Sequence, residues 1–230
     1  MSDKKPRSAK RVLQVLGFAA VWLATLFGAA GRIDWLRGWI FVVLYSAGMA
    51  AAGAAIKRFN PGLIEARAKW RHKDTKRFDR VILAIYFPMT LVQPAVAGMD
   101  AVRFGWSRMP FWWVYVGAAL FIPAFVLIAW TGSVNPFAEA TVRIQAERGH
   151  KVVESGPYRF VRHPMYVGIL VMCAAAPLVL GSLWALTVSA VVAMLFILRT
   201  ALEDRALRRE LPGYEDYAAR TRYRLLPGVW

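Results

Sequence analysis

The chain has 230 residues, 58% of them hydrophobic, and its 30 lysines and arginines against 14 acidic residues give a formal net charge of +16. Soluble domains are about 45–50% apolar. Here the excess is gathered in long uncharged blocks, which excludes an ordinary soluble core and points to a polytopic membrane protein.

Six apolar blocks follow one another: Val12–Ala30, Trp35–Ile56, Val81–Met99, Pro110–Trp130, Met165–Leu180 and Ser182–Leu198. At a rise of about 1.5 Å per residue, the first four are long enough to cross a hydrocarbon core of roughly 30 Å. Only the second holds a charge, Arg37, close enough to its end to snorkel. The last two are shorter and flank Gly181, which reads as a tight helical hairpin that spans with local thinning or polar packing. The first block has no A-x-A-like cleavage site and runs on into the second, so it is expected to stay as a helix.

Charge placement gives the topology. With both termini on one side, 26 of the 30 lysines and arginines share that side, and only Arg32, Arg37, Arg103 and Arg108 face the other. This is a positive-inside pattern with six spans and cytoplasmic termini, in the inner or plasma membrane. The basic charge is topological and lipid-facing, so no nucleic-acid partner is expected. The single cysteine, Cys173, excludes a disulfide framework and reads as a small buried hydrophobe.

Three cytoplasmic segments remain. The first, "KRFNPGLIEARAKWRHKDTKRFDR", carries helical pieces broken at Asn60-Pro61-Gly62, and its His72 reads as a solvated loop residue. The second runs from Thr131 to Pro164. The third continues the sixth span, breaks at Pro212-Gly213 and resumes as a short helix bearing Tyr214 and Tyr217. Only a hairpin separates the second and third, so topology returns them to the same face. In the third span Gln93 could face a cavity, or could serve only to satisfy backbone freed by Pro88 and Pro94.

No dinucleotide or phosphate-binding glycine loop is present, Ser155 lies outside a GxSxG elbow, and His72, His150 and His163 make no metal-binding spacing. What does gather is a set of donors and aromatics at the entrance to the fifth span: Gln145, His150, Tyr158, Arg162, His163 and Tyr166. Opposite stands the acidic pair Glu203-Asp204, with Arg199 one turn earlier on the Glu203 face. Singly these could be interfacial anchors and a helix-surface pair. Together they suit a ligand bearing both charges and an aromatic base, such as an amino acid carrying a nucleoside.

The run "HKVVESGPYRFVRHPMYVG", the short hairpin, and "EDRALRRELPGYEDYAARTRYRLLP" resemble the isoprenylcysteine carboxyl methyltransferase family of integral-membrane enzymes. The pattern is Gly-x-Tyr, then Arg-His-Pro-x-Tyr-x-Gly, two adjacent acids and a paired-tyrosine tail. The first 130 residues match only as generic spans. Two departures stand out: Asp204 where Glu is usual, and a one-residue gap before Tyr214.

The resemblance implies an all-α fold of about six transmembrane helices under a cytoplasmic cofactor-binding cap. It divides the chain into four N-terminal spans, residues 1–130, and a catalytic region, residues 131–230. It implies S-adenosylmethionine as methyl donor, with S-adenosylhomocysteine as product, and no metal. Carried over, Gln145, His150, Val152, Val153, Tyr158, His163, Pro164, Met165, Tyr166 and Glu203 are the expected cofactor contacts, and Arg199 the residue that orients the acceptor. A carboxylate acceptor is already ionised and needs no base, whereas an amine or thiol would make His163 the candidate base. A lipophilic acceptor can enter sideways between helices while the cofactor enters from the cytoplasm. The competing expectations are an NADPH-dependent sterol-type reductase, whose Arg-His-Pro-Asn-Tyr run has Asn where Met165 stands, a phospholipid N-methyltransferase, and a non-catalytic membrane scaffold.

Overall fold

The computed structural model describes residues 5–68 and 72–230, with side chains from Leu13 onward. Lys4, Lys69 and Arg71 of the charge pattern lie outside the described residues, as does Trp70 of the first cytoplasmic segment. The elements are α1 (Lys5–Ala30), α2 (Leu36–Phe59), α3 (Pro61–Arg67), α4 (Arg77–Gly98), α5 (Trp113–Val134), α6 (Pro164–Leu180), α7 (Leu183–Glu210) and α8 (Tyr214–Arg220). A π-helical turn, Met99–Phe104, prolongs α4, and two 3₁₀ turns, Ala146–Arg148 and Gly156–Arg159, lie in the loop before α6. No strand occurs among the described residues.

Five segments are long and apolar enough to cross a membrane: Leu13–Ala30, Leu36–Phe59, Arg77–Phe104, Trp113–Val134 and Leu183–Glu210. The shorter apolar helix α6 accompanies them. Large apolar side chains such as Leu13, Phe18, Val43, Ile122 and Met194 point outward, as lipid-facing positions must. The chain is an integral membrane protein. The apolar helix α6 is short, as expected, and α7 runs on past Leu198 as one helix to Glu210, the continuation expected up to the Pro212-Gly213 break.

Packing sorts the helices into two sets, α1–α4–α7 and α2–α5–α6, joined where α6 meets α7. Lipid offers no hydrophobic drive between helices, so close contact depends on small residues. One example is Gly117 of α5, where a Cβ would lie 2.8 Å from the Ala175 carbonyl oxygen and 2.9 Å from the Val179 nitrogen of α6.

The α6–α7 turn is pinned on the side of the bundle away from the long polar loops. Gly181 takes φ +78° and caps α6, and a side chain there would collide with the Arg37 guanidinium. Arg37 does not snorkel as expected: its Nη2 donates to the Met109 carbonyl at 2.6 Å, and the guanidinium lies 5.4 Å from the Phe111 ring. Asp100, fully buried, accepts from the Ser107 amide (2.8 Å) and hydroxyl (2.6 Å) and from the Ser182 hydroxyl (2.5 Å). The Ser182 hydroxyl in turn accepts from Ala185 N and caps α7. With that end fixed, the opposite ends of α6 and α7 are held side by side.

Candidate active site

Asn60 ends α2 and Pro61 starts α3, the break expected from Asn-Pro-Gly. At the other end of the chain, α7 gives way at Leu211 and α8 starts after Gly213, whose φ is +79°. These breaks fold the polar segments back over the ends of α6 and α7.

The loop between α5 and α6 is held from three directions. Asn135, the C-cap of α5, donates to the Tyr158 hydroxyl at 2.6 Å, and its own oxygen accepts from the Phe137 amide at 2.8 Å. From α4, Asp79 Oδ2 accepts from Val142 N at 2.8 Å, and Lys76 N donates to the Val142 carbonyl at 3.0 Å. From α7, Arg199 Nη2 donates to the Ala140 carbonyl at 2.7 Å. Arg143 then binds Glu139 (2.9 Å), Asp74 (3.0 Å) and Glu147 (2.6 Å). Here His72 departs from its expected solvated position. Its side chain is only 20% exposed, and Nε2 lies 3.5 Å from Glu139 Oε2.

The entrance to α6 is fastened to the tail. Arg162 N and His163 N donate at 2.9 Å to the carbonyls of Tyr223 and Arg224. The Arg162 guanidinium reaches Asp204 Oδ1 at 2.7 Å and the Thr221 and Arg222 carbonyls, also at 2.7 Å. Asp204, with no exposed surface, further accepts from Arg224 (2.9 Å), Tyr214 OH (3.1 Å) and Arg208 (3.3 Å). Tyr217 OH donates to the Tyr158 carbonyl at 2.8 Å, tying α8 to the loop.

Between loop, α6, α7 and α8 lies a cavity of about 890 Å³, part of it open to solvent. His150, Val152, Val153, Tyr158, His163, Met165, Tyr166 and Glu203 line it. Gln145, Pro164 and Arg199 do not. Gln145 is 1% exposed and stands behind the wall: its Nε2 donates to Phe137 O at 2.7 Å, and its Oε1 accepts from Arg148 at 2.5 Å. Arg199 faces the Asp79 carboxylate and lies 5.2 Å from the Tyr166 ring, on the far side of the cavity wall. Sequence reasoning passed over Asn135, Glu139, Thr141, Arg143 and Lys76, all on the lining. Asn135 alone carried a local signal, the Asn-Pro turn after an apolar run.

The chemistry of the lining is mixed. Tyr166 OH donates to Glu203 Oε2, leaving the rest of that carboxylate available as an acceptor. Thr141 Oγ1 and His163 Nε2 are buried without a hydrogen-bond partner, the latter 3.6 Å from Asp204 Oδ1 and just past bonding reach. His150 is pushed down to about 4, by burial first and then by the Arg143 and Arg148 charges, so it is neutral near pH 7. Its Nδ1 accepts from Gln145 N at 3.3 Å, which puts the proton on Nε2. Burial raises the Tyr158, Tyr214 and Tyr217 phenols, which remain protonated. Beside the ion-paired Lys76, Glu139 and Arg143, the lining therefore offers neutral donors, the Glu203 carboxylate as an acceptor, and apolar Val152 and Val153. That set suits a polar ligand with hydroxyls, an ammonium and a flat base. Among the described residues, no group of three or more His, Cys, Asp or Glu side chains could hold a metal ion.

Residues 112–212, which include most of this cavity's walls, match the family of phospholipid methyltransferases. No curated protein matches the chain. Among solved structures, that of the eukaryotic intramembrane Ras methyltransferase isoprenylcysteine carboxyl methyltransferase is similar at 15% identity. The similarity covers 91% of this chain and 83% of that one, with a TM-score of 0.47. The chain is thus an integral-membrane, S-adenosylmethionine-dependent methyltransferase whose residues 112–212 match the model of the phospholipid methyltransferases.

Proposed function

We propose that the cavity holds S-adenosylmethionine and that the methyl group passes to the carboxylate of a lipophilic acceptor drawn from the membrane. In this reading residues 131–230 form the catalytic region, residues 1–130 are the supporting spans, and the cap and both termini are cytoplasmic. The observation that carries it is the convergence, in one cavity, of the Tyr166–Glu203 pair with two buried and unpartnered polar atoms, Thr141 Oγ1 and His163 Nε2. A buried polar atom without a partner is costly, and a bound polar ligand supplies the missing partner.

Glu203 accepts from hydroxyl or ammonium groups, His163 and Thr141 bond the polar end, and Tyr158 with Val152 and Val153 gives the base a partly apolar bed. Met165 and Tyr166 close the side toward the membrane, while Gln145 and Pro164 support the wall from behind. Arg199, braced by Asp79, holds Tyr166 in place and orients the acceptor only through it. The cofactor supplies an electrophilic methyl on a sulfonium, and the chain's residues add proximity, alignment and exclusion of water. An ionised carboxylate attacks without a base. The phospholipid methyltransferase match favours one second reading, an amine acceptor, for which His163 Nε2 is the base within the lining.

Calorimetric titration of the detergent-purified protein tests the first step. S-adenosylhomocysteine should bind at micromolar concentration, NADPH should not, and Glu203→Ala should abolish the signal. Binding of NADPH alone would return the chain to the reductases. The acceptor then follows from a pH profile of methyl transfer, flat above pH 6 for a carboxylate and rising with pH for an amine, which must lose a proton to react.

A further inference from the structure

A second cavity, of about 610 Å³, lies deep between the two helix sets, and all its lining residues come from the six apolar helices. Along α7 its Ser189 sits fourteen residues before Glu203, about 21 Å away at the helical rise. Phe196, 1% exposed, separates the two cavities, with its ring edge-on to Tyr86 at 5.1 Å and to Tyr166 at 5.4 Å.

The lining is aromatic and polar where simple lipid filling would require neither. Trp22, Phe41, Tyr45, Tyr86 and Phe121 present rings, with Trp22 and Tyr45 stacked at 5.7 Å. The Tyr45 and Tyr86 hydroxyls have no hydrogen-bond partner among the described residues. Gln93 Nε2 donates to Ser189 Oγ at 2.9 Å, which leaves its second amide hydrogen and its oxygen free. Gln93 therefore faces a cavity and does not serve the backbone freed by the neighbouring prolines. Polar groups at such depth are expensive unless something bonds them.

We propose that this cavity binds an uncharged, lipid-soluble molecule whose flat ring carries carbonyl or hydroxyl oxygens. The rings clasp its faces, and Tyr45, Tyr86 and Gln93 donate to its oxygens. The site is independent of the methyl-transfer cavity, so loss of one ligand leaves the other's binding intact.

Three probes titrated into the purified protein in nonionic detergent test this: decylubiquinone (ring and oxygens), decylbenzene (ring alone) and farnesol (oxygen alone). Two hydrogen bonds are worth about tenfold in affinity, so decylubiquinone should bind saturably and about tenfold tighter than either control. Gln93→Leu should close that gap, and the milder Ser189→Ala should narrow it, with S-adenosylhomocysteine affinity unchanged in both. Equal affinity for the three probes, a gap unchanged in both variants, or no saturable binding would overturn the proposal.

Discussion

Asp79 in α4 and Arg199 in α7, 120 residues apart in sequence, form a buried ion pair, with Nε donating to Oδ1 at 2.7 Å. Asp79 has no exposed surface and Arg199 only 5%. The other Asp79 oxygen and the other Arg199 branch both grip the loop, at Val142 N and Ala140 O. The pair thus couples a span to a wall of the cofactor cavity. Removing one partner leaves an uncompensated buried charge, at about 3–5 kcal/mol, or a fall of roughly 10 °C in melting temperature. We expect Asp79→Ala and Arg199→Ala each to show that fall in detergent. The double variant Asp79→Leu/Arg199→Met should recover most of it. A double variant as unstable as the sum of the singles would show that the two charges act independently.

Much of this was legible in the sequence because it is local. Uncharged runs gave the spans, and Pro212-Gly213 and Asn60-Pro61-Gly62 gave the breaks. The return of two polar segments to one face followed from the intervening hairpin. What stayed hidden depends on partners far along the chain. Nothing near Asp79 marks it as a partner of Arg199, and Lys76 gives no hint of Glu210, 2.6 Å away across the site. Arg37 looked free to snorkel because the pocket that receives it is built by Met109, Phe111 and Gly181. The continuation of α7 past its apolar half was legible as well, because no helix breaker intervenes before Pro212-Gly213 and the backbone runs unbroken to Glu210.

His150 gives a signed pH prediction. Its folded value is about 4, against an ordinary 6.5. Above pH 6.5 both folded and unfolded states are neutral there, and the stabilisation is fully present. As pH falls from 6.5 toward 4 the unfolded chain takes up the proton first, so stability is lost across that window. His150→Asn keeps an acceptor for Gln145 N without a titrating ring. Between pH 6.5 and 5 the melting temperature of the natural protein should therefore fall more steeply than that of the variant. Parallel curves would mean that His150 is not held neutral.

Tyr166 and Glu203 are the pair through which the cavity should read its ligand. Glu203→Gln keeps an acceptor for the Tyr166 hydroxyl but removes the charge. Charge-assisted hydrogen bonds are worth about 1.5–3 kcal/mol, so affinity for S-adenosylhomocysteine should fall by roughly 10- to 100-fold. Tyr166→Phe leaves the carboxylate in place and should cost about threefold to tenfold. Arg199→Lys, altering a residue outside the lining, should leave that affinity within about threefold. A larger effect of Arg199→Lys than of Glu203→Gln, read by calorimetry, would move Arg199 into the binding site.

Glu203 and Asp204 are neighbours in sequence and belong to different parts of the machine, because successive residues on a helix point about 100° apart. Glu203 faces the cavity, while Asp204 faces inward to Arg162, Arg224, Arg208 and Tyr214. Three guanidiniums gather on one carboxylate, and their exposure ranks what each contributes. The Arg162 side chain is 3% exposed, while those of Arg224 and Arg208 are 29% and 33% exposed. Asp204→Asn strands the buried Arg162 charge and should cost about 3–5 kcal/mol. Arg208→Ala removes a largely solvated partner and should cost under about 1 kcal/mol, with Arg224→Ala between them. Thermal unfolding in detergent gives that order directly, and calorimetry on the same samples completes the contrast. Glu203→Gln should lose affinity at a nearly unchanged melting temperature, while Asp204→Asn should lose melting temperature first. If instead Asp204→Asn melts normally and fails to bind S-adenosylhomocysteine, Asp204 is the ligand-reading acid and the roles of the two neighbours are exchanged.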